Sequence, residues 1–148
     1  RSPIILTFDD GLENNLKVTG LDSNGNIIID SNSAVGVLES FKKKYPDYNV
    51  TATFFVNGGL FNQEEYNEKI LKWLVDNGYD IGNHTYSHVD FTKVDSNRTQ
   101  AEVGKMYEIL DSIIPNREEE GLKEYYSFLF KTNSKKYDKL HLTNRFKC

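Results

Sequence analysis

Apolar and polar positions along the chain fall into short blocks whose spacing switches between strand-like and helix-like periods. Pro3-Ile4-Ile5-Leu6-Thr7-Phe8 is a continuous apolar run halted by Asp9-Asp10-Gly11. Such a run predicts a strand buried on both faces, as in a parallel sheet, ending in a tight turn. Val18-Thr19-Gly20-Leu21 and Ile27-Ile28-Ile29 flank Asp22-Ser23-Asn24-Gly25-Asn26, and the Asn-Gly pair predicts a small hairpin closed by a type I′ turn. Ser33 is placed to cap a helix running to Lys44, with Val37, Leu38 and Phe41 on one stripe and Pro46 beyond its end. Thr51 to Val56 reads as a second buried strand. From Glu64 to Asn77, Tyr66, Ile70, Trp73 and Leu74 keep helical spacing, and Gly78 stands where a left-handed C-cap belongs. Tyr79 to Gly82 is a short third strand, and Val103, Met106, Tyr107, Leu110 and Ile114 mark one face of a helix from Arg98 to Ile114.

Strand and helix in alternation predict an α/β domain with a parallel sheet. From Arg117 onward the period fails, and residues 116–148 stay unassigned within what reads as one domain, 1–148. Composition supports a single globular unit, with 38% hydrophobic and 27% charged positions in 148 residues. No stretch nears the ~18 consecutive apolar residues of a membrane helix, so no transmembrane segment is expected in the chain. A net charge of −4 argues against a nucleic-acid partner, which requires a basic face to neutralise phosphate, and Lys42-Lys43-Lys44 reads as a solvated helix face. The single cysteine, Cys148, excludes an intrachain disulfide and a cysteine-built zinc site. The chain opens Arg1-Ser2-Pro3 with no apolar leader, so a targeting signal is not visible.

In α/β sheets functional residues gather just past the C-terminal ends of parallel strands. Asp9 and Asp10 follow the first strand; His84 and His88 follow the third. Two adjacent carboxylates disfavour joint ionisation unless something positive sits beside them. A divalent cation is the simplest candidate, reached by two imidazoles four residues apart, and neighbouring aspartates point opposite ways, so one binds while the other is free to take a proton. A catalytic zinc lowers the pKa of water from about 15.7 to about 7, worth on the order of 12 kcal/mol, against about 3 to 5 kcal/mol for a general base. The metal carries the larger effect.

Thr7-Phe8-Asp9-Asp10-Gly11, Ala52-Thr53-Phe54-Phe55-Val56 and Gly82-Asn83-His84-Thr85-Tyr86-Ser87-His88, in that order, resemble the polysaccharide deacetylases of the NodB-homology type, carbohydrate esterase family 4. The likeness covers residues 3–115. It implies a distorted (β/α) barrel and a metal-dependent hydrolase that removes N-acetyl or O-acetyl groups from a polysaccharide such as peptidoglycan or a chitin-like polymer, outside the cell or at its surface. By the same resemblance Asp10, His84 and His88 hold the metal, zinc first with cobalt or nickel as alternatives, and Asp9 is the catalytic base. Thr85 and Ser87 would order the histidine loop, and Tyr86 is a candidate for stacking on a sugar ring.

Later family segments, among them an Arg-x-x-Tyr-like stretch and an aspartate-tryptophan stretch, are not recognisable here. Leu140-His141-Leu142 resembles the last of them, which makes His141 the one candidate for the catalytic acid. The alternative is a truncated or non-catalytic relative that binds carbohydrate or metal. Because a (β/α) barrel takes roughly 200 residues or more, 148 residues are expected to hold an incomplete one, with residues omitted near Asn116-Arg117 as one cause.

Overall fold

The structure, a computed structural model, describes residues 4–114. His141 and the Asn116-Arg117 junction lie outside the described residues. Eight elements follow one another: β1 (Thr7–Phe8), β2 (Val18–Leu21), β3 (Ile27–Ile29), α1 (Ala34–Lys44), β4 (Thr53–Val56), α2 (Asn67–Asp76), β5 (Asp80–Asn83) and α3 (Ser96–Ile113). They form a three-stranded parallel sheet in the order β1-β4-β5 and a separate antiparallel hairpin, β2-β3. The α/β grammar predicted from periodicity is therefore present. No closed barrel is formed among the described residues.

Phe54 and Val56, on the inward face of β4, are fully buried, and Phe54 organises the aromatic core. Its ring stacks on Phe8 at 5.0 Å and meets Tyr79 and Phe61 edge-on at 5.8 and 6.2 Å. Ile70, Leu71 and Leu74 of α2 and Met106 and Leu110 of α3 close the same core. On the opposite face of β4, Phe55 lies over Gly82 of β5, where any Cβ would come within 2.3 Å of its ring. Helix ends follow sequence chemistry. Ser33 accepts from the Gly36 N–H as the N-cap of α1, and Asp95 accepts from the Arg98 N–H as that of α3. Gly78, at φ +77°, ends α2 in a Schellman turn: its own N–H donates to the Val75 carbonyl and that of Tyr79 to the Leu74 carbonyl.

Four expectations change. The first strand is not buried on both faces: regular strand structure is confined to Thr7–Phe8, and Ile4, Ile5 and Leu6 before it are 86, 54 and 36% exposed. The hairpin turn is not type I′, since Gly25 alone of its residues has a positive φ, 80°. The Gly25 N–H donates to the Asp22 carbonyl and the Asp22 N–H to the Asn26 carbonyl, at 3.0 and 2.9 Å, which makes a type I turn followed by a left-handed glycine. Val37 and Phe41 point outward from α1, whose covered side is Val35 and Gly36, and Phe41 packs instead against Tyr45 and Tyr48. Lys42 is more than a solvated charge: its ammonium pairs with Glu39 at 2.9 Å and sits 3.9 Å from the centre of the Tyr79 ring. The Tyr79 hydroxyl donates to Glu39 at 2.6 Å, and burial together with that carboxylate drives its pKa far upward.

Candidate metal centre

Because β1, β4 and β5 run parallel, their C-terminal ends lie along one edge of the sheet, and the segments leaving β1 and β5 emerge there together. The His84 N–H extends the β4–β5 ladder by donating to the Val56 carbonyl at 2.9 Å. Asp10 leaves β1 in the left-handed region, φ 70°, followed by Gly11 at φ 56°. Gly11 has to be glycine, since a Cβ would stand 2.4 Å from the Leu60 carbonyl oxygen. That close approach turns the chain so that the Asp10 side chain faces back across the strand ends.

Asp10, His84 and His88 come together, each offering one ligand atom within 4.8 Å of the others. The Nε2 atoms of His84 and His88 stand 3.3 and 3.2 Å from the same oxygen, Asp10 Oδ1. That oxygen is buried and accepts no hydrogen bond. Ligands at the usual zinc distances of roughly 2.0–2.1 Å on a tetrahedron are separated by roughly 3.3–3.4 Å, so both separations match the edge of such a shell. Lone pairs converging on a volume that no protein hydrogen fills are the donor arrangement of a divalent cation, and one carboxylate with two imidazoles leaves a fourth position open. Asp9, next in the chain, is exposed and outside this cluster.

The two histidines sit on a loop rather than on one turn of helix. Thr85 at φ 69° and His88 at φ 55° are both left-handed, conformations that cost about 1–3 kcal/mol each and persist only where the surroundings impose them. The Asn83 Oδ1 accepts from the Thr85 N–H at 2.8 Å while its Nδ2 donates to the Val103 carbonyl at 3.0 Å, tying the loop to α3. Ser87 is held by Glu102, its N–H and Oγ–H donating to the carboxylate at 2.6 and 2.7 Å. Thr85 Oγ1 is buried and has no hydrogen-bond partner, so of the two hydroxyls only that of Ser87 orders the loop in this way. Tyr86 is half-buried, with its ring edge against Gly58 and the Lys105 ammonium 3.6 Å from its centre, and its carbonyl accepts from the Gly58 N–H at 2.8 Å.

Glu102 is the residue that reading the sequence missed. It is 3% exposed, and the Arg98 guanidinium meets it at 2.7 Å. Burial pushes its carboxyl upward, but the Ser87 hydrogen bonds and Arg98 outweigh that and hold it below the ordinary glutamate value. One signal was available: Glu102 interrupts the apolar face of α3 one position before Val103 and four before Met106.

Residues 1–122 match the family described as polysaccharide deacetylase. The chain belongs to that family. Over 113 residues it is 31% identical to the peptidoglycan-N-acetylglucosamine deacetylase of Bacillus cereus, covering 76% of this chain and 32% of that protein. Over 105 residues it is 30% identical to the peptidoglycan-N-acetylmuramic acid deacetylase PdaA of Bacillus subtilis, covering 71% of this chain and 31% of the relative. The solved structure of Bacillus subtilis PdaA, described as a family 4 carbohydrate esterase, matches with 31% identity over 74% of this chain and 36% of its own, at a TM-score of 0.49. This member of the polysaccharide deacetylase family thus spans about a third of the length of these curated relatives.

Proposed function

We propose that this chain carries the metal-binding part of a hydrolase that removes acetyl groups, N-acetyl first and O-acetyl by the same chemistry, from a polysaccharide such as peptidoglycan or a chitin-like polymer. The carrying observation is the orphaned Asp10 Oδ1 facing two imidazole nitrogens at 3.2 and 3.3 Å. Membership of the polysaccharide deacetylase family supports the reaction class. The relatives' names, which specify peptidoglycan N-acetylglucosamine and N-acetylmuramic acid, support an acetylated amino sugar as the substrate unit. Peptidoglycan lies outside the cytoplasm, so the proposal places the work at the cell surface.

In this reading Asp10, His84 and His88 hold a divalent cation, zinc first with cobalt or nickel as alternatives. When bound, such an ion acidifies water and polarises the acetyl carbonyl. Asp9, exposed beside the cluster, accepts at its carboxylate the proton given up by the attacking water, a role worth roughly 10²–10⁴ in rate. The αL turns at Asp10 and His88 orient the donors before any ligand arrives, so little reorganisation remains at the moment of reaction.

Acetate release from N-acetylglucosamine oligomers, followed before and after treatment with a chelator and after zinc is restored, tests the proposal. Turnover should vanish with the chelator and return with zinc. Turnover indifferent to the chelator overturns it. Zinc binding without acetate release makes the chain a carbohydrate- or metal-binding relative instead.

A further inference from the structure

The loop from His84 to His88 carries two of the three clustered side chains, yet its two left-handed residues receive no support from the loop itself. Asn83 and Gly58 each supply one hydrogen bond to it, and the remaining support comes from a single stretch of α3. The Tyr86 N–H donates to the Glu102 carbonyl at 3.1 Å, and Ser87, the residue before His88, gives both of its hydrogens to the Glu102 carboxylate. Arg98, one helical turn earlier, completes the shell around that carboxylate and lies 3.4 Å from Ser87 Oγ. A buried carboxylate is an expensive way to fasten a loop, because desolvation opposes it and an apolar contact of the same volume stabilises as well or better. What an apolar contact lacks is direction. Two acceptor oxygens aimed at the N–H and Oγ–H of one residue fix the Tyr86–Ser87 peptide plane and the Ser87 side chain, one residue before His88 with its φ of 55°.

We propose that Glu102 is a positioning residue of the metal centre: by binding Ser87 through both carboxylate oxygens it sets the backbone that aims the His88 imidazole at Asp10. This rests on the metal-centre reading of Asp10, His84 and His88. Residues outside a ligand shell that orient its members typically contribute 10–100-fold in metal affinity. Glu102 acts here on the ligand's backbone rather than on its second ring nitrogen.

The test is the zinc affinity of the full chain, stripped of metal and titrated in competition with a chromophoric chelator, alongside the melting temperature of the metal-free protein. Glu102→Gln keeps the shape but turns one acceptor oxygen into a donor. It should raise the zinc dissociation constant 10–100-fold while the metal-free protein still melts cooperatively. Ser87→Ala should raise it about tenfold, and the double variant should not exceed the larger single effect by more than about twofold, because both act through one contact. A folded Glu102→Gln protein that binds zinc within about twofold of the parent overturns the proposal, as do fully additive effects of the two substitutions. If Glu102→Gln does not fold, Ser87→Ala decides alone, since it leaves Glu102 paired with Arg98: unchanged affinity overturns the proposal. His84→Ala separates the two readings. Parent and His84→Ala binding zinc equally would remove the metal centre itself, and the positioning role with it.

Discussion

The turn at Asp9–Gly11 takes its shape from the missing side chain of Gly11, which lets the chain pass so near the Leu60 carbonyl that a Cβ there would stand 2.4 Å from its oxygen. The loop from His84 to His88 takes its shape from another element, through Asn83, Ser87 and the carboxylate of Glu102 fifteen residues beyond Ser87. Both segments place left-handed, side-chain-bearing residues at the strand ends, Asp10 on one side and Thr85 and His88 on the other. The first is imposed by sterics, the contact between Gly11 and the Leu60 carbonyl. The second is imposed by a buried hydrogen-bonded charge. A constraint of the first kind fails abruptly when a methyl group is added; one of the second kind fails in proportion to the hydrogen bonds removed.

The comparison can be broken most completely at the donors. Asp10→Ala and His84→Ala should abolish zinc binding measured by equilibrium dialysis, whereas Asp9→Asn should keep the metal and lose about 10²–10⁴ in acetate-release rate. Equal metal loss in Asp9→Asn and Asp10→Ala would contradict the division of roles. Gly11→Ala should come next, destabilising the fold by more than about 1 kcal/mol in urea unfolding, because alanine is strained at φ 56° and meets the Leu60 carbonyl. Full stability in that variant would show that the turn has room the geometry denies.

A smaller effect separates the loop through pH. The Glu102 carboxyl is held below its ordinary value of 4.5, so its contribution is fully present above that value and is lost as pH falls through the lower native one. Between neutral pH and pH 4.5 the melting temperatures of the metal-free parent and Glu102→Gln should therefore keep a constant offset, and below it the offset should shrink. An offset that widens in acid would reverse the sign. Least of all should be Ser33→Ala, which removes the α1 cap bond to the Gly36 N–H. It should cost about 1 kcal/mol of stability and leave zinc affinity untouched, since α1 supplies none of the clustered donors.

Much of this was legible without coordinates. Asp9-Asp10-Gly11 after an apolar run and His84-x-x-x-His88 after a short strand are local signals, and parallel strands place such ends on one edge by topology alone. Caps at Ser33 and Gly78 are local too. Less legible were the features that depend on distant neighbours, the exposure of Ile4 to Leu6 and the outward turn of Val37 and Phe41; the hairpin turn is local, but there the Asp22 side chain, which accepts from both the Asn24 and Asn26 N–H groups, competes with the Asn-Gly signal.

Residue order by itself therefore determined the strand–helix alternation, the parallel sheet and the chemical types gathered at its C-terminal edge, because period, capping and breaker residues act over a few positions. That Asp10 rather than Asp9 meets the histidines was already what the family resemblance implied; tertiary structure alone decided that one buried Asp10 oxygen sits 3.2 and 3.3 Å from their nitrogens, and that Glu102 holds the loop between them. Those outcomes depend on backbone direction at Gly11 and on a hydrogen bond between residues far apart in the chain, and no local pattern encodes a direction in space.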